Sequence, residues 1–206
     1  MIKNILYAFV IFSQISSCSF ISFSDSIPLV KAAIIGFENQ PVTLEEFNLN
    51  EYSFAVAKFN RGQEARIVLS SINSKGLETW IAPNNIKLFI KKGKILKTEG
   101  LDHDYEIINW QDSTDESSKT NYISLTNPRA IFKQTTLRDV LKQDYIDFHY
   151  ESVVQTNLLK EMVNIKELNQ KNVNYYWFGQ DGKIKRTSQY INPKLPKITI
   201  DFFYKY

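Results

Sequence analysis

From Tyr52 onward, apolar residues recur at every second position and turn-forming residues interrupt them at short intervals. Successive side chains of an extended strand point to opposite faces, so this rhythm marks strands whose two faces are used differently. Phe54, Val56 and Lys58 alternate with Ala55, Ala57 and Phe59, and Asn60-Arg61-Gly62 turns the chain into a return strand through Ala65, Ile67 and Leu69. Thr79-Trp80-Ile81 makes a third strand, ended by Ala82-Pro83-Asn84-Asn85. Residues 86–90 and 94–98 flank Lys91-Lys92-Gly93, the pattern of a tight hairpin. Connections this short leave no room for crossover helices, so the sheet is mainly antiparallel.

The second half keeps the rhythm. Residues 131–137 and 146–154 read as strands, and residues 173–178 and 184–191 flank the turn Gln180-Asp181-Gly182-Lys183. Pro193 and Pro196 bend the chain before a last strand over 198–204. Residues 158–168 stay open, because Leu158, Leu159, Met162, Val163 and Ile165 suit either one face of a helix or a long strand. Residues 111–121 carry no large apolar side chain and read as a surface loop. The expected fold is therefore all-β, a barrel, half-barrel or sandwich of about ten strands. One or two short helices precede it: Ser26, Pro28 and Gly36 suit the cap, first turn and stop of one, and Thr43-Leu44-Glu45-Glu46 is a capping box for the other.

The N-terminus carries a different signal. Lys3 precedes an apolar stretch over 5–15, too short for a bilayer-spanning helix of ~20 residues. Ile15-Ser16-Ser17-Cys18 then has the aliphatic-small-small-cysteine order of a lipobox, within the tripartite layout of an export signal. The expected organisation is a signal peptide over 1–17, a lipidated Cys18 with a serine-rich stalk over 18–25, and one β domain over 26–206. Cys18 would bear S-diacylglycerol and N-acyl groups, several chains together, and needs no basic patch to hold a membrane. Ser19, where aspartate is absent, resembles lipoproteins sorted to the outer membrane and implies a lipid-anchored protein on its periplasmic side.

Composition narrows the function classes. An apolar content of 43% supports a substantial core, and a formal charge of +3, from which Lys3 is removed with the signal, lacks the basic footprint of a nucleic-acid binder. Cys18 is the one cysteine and there are two histidines, so no disulfide forms and no structural zinc site or other metal or cofactor site is indicated.

Three segments resemble the YjbF/GfcB family of capsule and exopolysaccharide lipoproteins. They are residues 89–102, from Phe89 through Lys94-Ile95 to Gly100-Leu101-Asp102; Tyr176-Trp177-Phe178 with the Asp181-Gly182 turn and residues 183–189; and the closing Leu195-Pro196-Lys197-Ile198-Thr199-Ile200. Ala33-Ile34-Ile35-Gly36-Phe37 and Tyr52-Ser53-Phe54-Ala55 fit the family's early part, whereas the end Asp201–Tyr206 and the 111–121 loop depart from it. The resemblance implies a predominantly antiparallel β fold and a place among the machinery that secretes surface polysaccharide. It carries over no catalytic residue.

Candidate sites follow from side-chain chemistry. Asp102-His103-Asp104 sets a histidine between carboxylates, but in extended chain only the two aspartates share a face, so a solvated turn is the plainer reading. His149, between Phe148 and Tyr150, reads as a strand residue facing solvent or a partner. Glu45-Glu46 suit the first turn of a helix through its dipole. Lys91, Lys92, Lys94 and Lys97 make a basic hairpin, either a contact for anionic polysaccharide or headgroups or a solvated edge. Trp80, Tyr175 and Trp177 are the candidate glycan or partner contacts, since sugar rings stack on aromatic faces, with Trp110 and Tyr176 as further aromatics. Tyr175 and Trp177 share one strand face while Tyr176 and Phe178 share the other, so that strand is buried on both sides or lines a cavity or interface.

The reading is a membrane-anchored, non-enzymatic accessory factor in capsule or exopolysaccharide secretion or assembly, with polysaccharide or export-machinery proteins as partners. The alternative is a carrier or chaperone whose concave sheet takes up an acyl chain or a partner lipoprotein. A glycan hydrolase would need two carboxylates ~5–10 Å apart across a cleft, and the sequence nominates no such pair.

Overall fold

A computed structural model of the protein describes residues 41–110, 118–139 and 142–205. The helix expected over 26–36 lies outside them. Thr43 caps the second helix as expected: its side chain accepts from the Glu46 backbone N–H at 3.1 Å and opens α1 (Leu44–Leu49). Glu45 and Glu46 stand in its first turn, where the helix dipole favours acids.

The described residues form thirteen strands, all antiparallel where they pair. β1 (Phe54–Phe59), β2 (Glu64–Ile72), β3 (Glu78–Ile81), β4 (Lys87–Lys91), β5 (Lys94–Glu99), β6 (Tyr105–Ile108) and β7 (Ser118–Thr126) each pair with the next in chain order, a run that ends at β8 (Arg129–Arg138). β9 (Lys142–Phe148) leads into the long β10 (Glu151–Ile165), followed by β11 (Gln170–Phe178), β12 (Ile184–Gln189) and β13 (Ile198–Phe203). β13 returns to β1, and β10 bridges β8 and β11, so twelve strands close into a barrel with β9 as an addition outside the ring.

β10 does two jobs along its length. Glu161–Asn164 pair with β8 and belong to the wall, while Glu151–Leu158 pair with β9. The resulting hairpin folds over the outer face of β12, β13 and β1. Two cores result. Inside the barrel, Ile67, Trp80, Leu88, Ile90, Ile95, Ile123, Ile198, Ile200 and Phe202 are buried, each such side chain stabilising the fold by ~1.5–3 kcal/mol. Outside it, Val42, Phe54, Val56, Ile146, Phe148 and Phe203 form a second cluster between wall and hairpin, with Phe203 stacked on Phe54 at 4.9 Å and on Phe148 at 5.1 Å.

Several sequence expectations need correction. Residues 118–121 are strand, not loop, because Asn121 points into the barrel, 4% exposed, opposite the buried Gln134. Polar residues at inward positions erase the apolar alternation that marks a strand. The strand expected over 146–154 is two strands with a turn at His149, whose φ is +43°. Residues 158–165 continue β10, and a 3-10 turn over Lys166–Leu168 ends it, with Asn169 at φ +49°. Residues 190–191 fall after β12, and β6 was not foreseen.

Candidate functional site

The barrel interior holds a fully buried carboxylate. Glu161 is 0% exposed, and both its oxygens lie 2.9 Å from the Lys94 ammonium. Arg138 Nε donates to Oε1 at 3.1 Å and Tyr176 Oη to Oε2 at 3.1 Å. Burial alone would raise the Glu161 carboxyl, but the Lys94 and Arg138 charges outweigh it and hold the group below its ordinary range. Burial pulls the Lys94 ammonium below the usual lysine range, a pull its contact with Glu161 only partly offsets. Gln189 ties β12 to the same hairpin, accepting from Ile95 N–H at 3.2 Å and donating to the Gly93 carbonyl at 2.9 Å. Lys94 therefore belongs to the interior and not to a basic outer edge, while Lys97 pairs outside with Glu99 at 2.9 Å.

His149 sits in the turn of the outer hairpin. Its Nδ1 accepts the Val42 backbone N–H at 2.9 Å, which places the ring proton on Nε2, and Nε2–H donates to Asp201 Oδ2 at 2.9 Å. Arg186 donates to both oxygens of Asp201, Nη2 at 2.9 Å. Burial raises the Asp201 carboxyl, yet the hydrogen bonds from His149 and Arg186 bring it below its ordinary range. Both imidazole nitrogens are engaged, so the ring has no lone pair left for base catalysis in this arrangement. The expectation that His149 faces solvent from a strand is corrected: its side chain is 10% exposed and clamps the turn to the wall.

Asp102-His103-Asp104 closes a loop. Asp104 accepts from Thr98 Oγ1 at 2.8 Å, Gly100 N–H at 2.8 Å and Leu101 N–H at 3.0 Å, and His103 Nδ1 lies 2.9 Å from the Asn127 carbonyl. Among the described residues no group of three or more His, Cys, Asp or Glu side chains is arranged to hold a metal.

The candidate aromatics separate. Trp80 is 0% exposed inside the barrel, its indole N–H donating to Glu78 Oε2 at 2.8 Å and its ring edge-on to Phe202 at 5.4 Å, which leaves no face for a ligand. Glu78 also accepts from Tyr204 Oη, and its burial raises its carboxyl above the usual range despite those hydrogen bonds. Tyr175 and Trp177 stack on each other at 5.8 Å on the outer face of β11, half-buried, and Trp177 Nε1 donates to Asp144 Oδ2 of β9 at 2.8 Å. Tyr176 faces inward, 1% exposed. The strand is thus used on both sides, against the barrel core and under the hairpin.

Sequence reasoning missed one concavity. The β12–β13 ladder ends at Arg186 and Asp201, although both strands continue past that pair. Where they part, a pocket of about 160 Å³ opens beside the outer hairpin. Phe47, Phe148, Tyr150, Phe202, Phe203 and Tyr204 are among the residues that line it. Asp181, Lys183 and Lys185 of the β11–β12 turn and its outgoing strand stand at its edge.

A closed antiparallel barrel with an ionic interior and an external hairpin defines the architecture. Residues 29–203 match the family described as group 4 capsule polysaccharide lipoprotein gfcB, YjbF, and the chain belongs to that family. The segments that carried the resemblance all lie inside or overlap this match. Among solved structures, the crystal structure of the hypothetical lipoprotein YmcC from Escherichia coli (K12) superposes with a TM-score of 0.69. It shares 18% identity and covers 91% of this chain and 98% of its own, a likeness in fold. A putative lipoprotein from Parabacteroides distasonis ATCC 8503 overlaps weakly, with a TM-score of 0.36 and 10% identity over 75% of this chain and 95% of its own. No curated protein sequence matches the chain.

Proposed function

We propose that this protein is an outer-membrane lipoprotein, held by lipids on Cys18 and facing the periplasm, that assists capsule or exopolysaccharide secretion by binding glycan or export components, without catalysing a reaction. The observation that carries the reading is the family match over residues 29–203, whose description joins lipoprotein to capsule polysaccharide. The lipobox ending at Cys18 and Ser19 after it support the anchor and its location. The half-buried Tyr175–Trp177 stack supports an aromatic contact with glycan or a partner on the outer face. The barrel interior favours this reading over the acyl-chain carrier, because Trp80, Tyr176, Phe202 and the Glu161 cluster occupy space a lipid chain would need. Deleting the gene and measuring cell-surface polysaccharide tests the proposal. The expected result is reduced surface polysaccharide, restored by the wild-type gene; unchanged export under conditions that require the polymer overturns it.

A further inference from the structure

We infer that His149 is a proton-operated clasp: neutral, its ring holds the segment that leads into the barrel, and protonated, it lets that segment go. The geometry is a chain of hydrogen bonds with one reversible link. Val42, 1% exposed, donates its backbone N–H to Nδ1 at 2.9 Å, and Nε2–H donates to Asp201 Oδ2 at 2.9 Å. A neutral imidazole has one ring lone pair to offer, and Val42 occupies it; an imidazolium has none, since both nitrogens carry protons. A second proton therefore binds Nδ1 only by displacing Val42, and it sets two N–H groups against each other. A buried donor without an acceptor is costly, so the segment withdraws until water replaces Nδ1.

The surroundings hold the ring so that this link is the one that responds. His149 stands in the β9–β10 turn at φ +43°, with the Phe148 and Phe203 rings edge-on to it at 5.3 and 4.8 Å. The charged groups that face it from the wall are Asp201 of β13 and, behind that carboxylate, Arg186 of β12. Burial raises the Asp201 carboxyl, but the hydrogen bonds from His149 and Arg186 bring it below its ordinary range, so it stays charged while an imidazole titrates. Asp201 thus keeps the Nε2 side in place in both states, first by a hydrogen bond and then by an ion pair. Farther out, Lys185 of β12 lies over the Phe148 ring at 5.7 Å, and Asp147, two residues back on β9, is exposed. From α1 comes Glu46, paired with Arg66 at 2.5 Å, while Lys205 lies over Phe47 at 4.0 Å. These groups shift where the ring titrates, not which bond breaks.

Val42 stands between Cys18 and the barrel in sequence. The clasp itself needs no anchor, but its consequence rests on the anchoring proposed above: acid loosens the point at which the chain from the lipid joins the barrel and leaves the wall as it was. Phe47 of α1, stacked on Tyr150 at 5.3 Å, remains as the second hold between the entering segment and the hairpin turn.

The test is nuclear magnetic resonance on the full-length lipidated protein in detergent, between about pH 8 and about pH 5, the range in which imidazoles titrate. It follows the His149 ring signal and the exchange of backbone amides. The expected result is that Val42 protection, corrected for the intrinsic pH dependence of exchange, falls about tenfold or more with the same midpoint as the ring. Ala55, paired on both sides within the wall, keeps its protection. His149→Gln abolishes the step at Val42. Asp201→Asn removes the charge that favours an imidazolium and moves both midpoints to lower pH together. A ring that does not titrate in this range overturns the proposal, as does Val42 protection that stays level while the ring titrates. So do a step that persists in His149→Gln, midpoints that separate in Asp201→Asn, and an equal loss at Ala55, which would make the change a general loosening. The two midpoints are compared within the wild-type protein, so that arm stands even where a variant does not fold. No readout involves polysaccharide, so the clasp can fail while gene deletion still reduces surface polymer, and the reverse outcome is equally distinguishable.

Discussion

Glu161 keeps a charge at a position buried from solvent, and the cost is met by donors from three other strands: Lys94, Arg138 and Tyr176. Removing one member of such a cluster is worse than never having built it, because the remaining charges stay buried. Glu161→Ala strands the Lys94 ammonium, and the expected loss is about 3–5 kcal/mol, read as a lower urea midpoint. Replacing Lys94 and Glu161 together by Met and Leu should cost less than Glu161→Ala alone, and a larger loss in the double variant would refute this account. The same carboxylate sets a pH dependence. Glu161 and Asp201 both titrate below their ordinary values in the folded protein. The unfolded chain therefore binds protons first on acidification, and the stability these groups contribute, present above about pH 4, is lost as pH falls through their folded values. Glu78 acts with the opposite sign, since its raised carboxyl is protonated first in the folded state as pH falls. Urea midpoints measured against pH should therefore fall less steeply below about pH 4 in Glu161→Gln than in the wild-type protein.

The β4–β5 hairpin shows at the level of an element how much the sequence disclosed. Its turn was legible from Lys91-Lys92-Gly93, and Lys92 and Gly93 take φ values of +49° and +77° as such a turn requires. What the turn touches was not legible. A Cβ on Gly93 would stand 2.7 Å from Ile184 Cγ1, on a strand more than ninety residues away in sequence. Gly93→Ala thus adds a clash to the backbone strain of about 1–2 kcal/mol, whereas Gly182→Ala, at φ +74° with nothing within 4 Å, meets only the strain. The expected urea midpoint is lower for Gly93→Ala than for Gly182→Ala, with equal slopes; equal midpoints would show that Ile184 yields without cost. The same division runs through the fold. β1, β4 and β13 announced themselves because their inner positions are apolar. β7 did not, because Asn121 faces inward, and the β9–β10 turn was hidden in the aromatic run Phe148-His149-Tyr150, which contains neither glycine nor proline. The pocket was hidden for a further reason. It exists because the β12–β13 register stops early and because the Phe148 turn folds onto Phe203, and neither fact is local in sequence.

At the scale of the whole molecule, the distribution of polarity decides how the protein meets a membrane. The wall sends Ile67, Ile90, Ile123 and Ile200 inward and carries Lys58, Glu64, Lys87, Lys97 and Glu99 in ion pairs on its outside. A membrane-spanning barrel has the reverse arrangement, an apolar outer band around a polar lumen. Among the described residues no helix is long and apolar enough to cross a bilayer. Under the function proposed above, attachment is the task of lipids on Cys18. Each acyl methylene buried in lipid contributes ~0.8 kcal/mol, so several chains hold firmly where one would hold marginally. Cys18→Ser removes all of them at once and leaves every residue of the barrel unchanged. The expected outcome is no incorporation of labelled palmitate, recovery of the protein in the soluble fraction, and a thermal midpoint equal to that of the barrel released from the wild-type protein by cleavage in the stalk. If Cys18→Ser protein stays with membranes that are washed in high salt, the anchor is elsewhere, and the outer face of the barrel or a partner bound to it holds the protein in place.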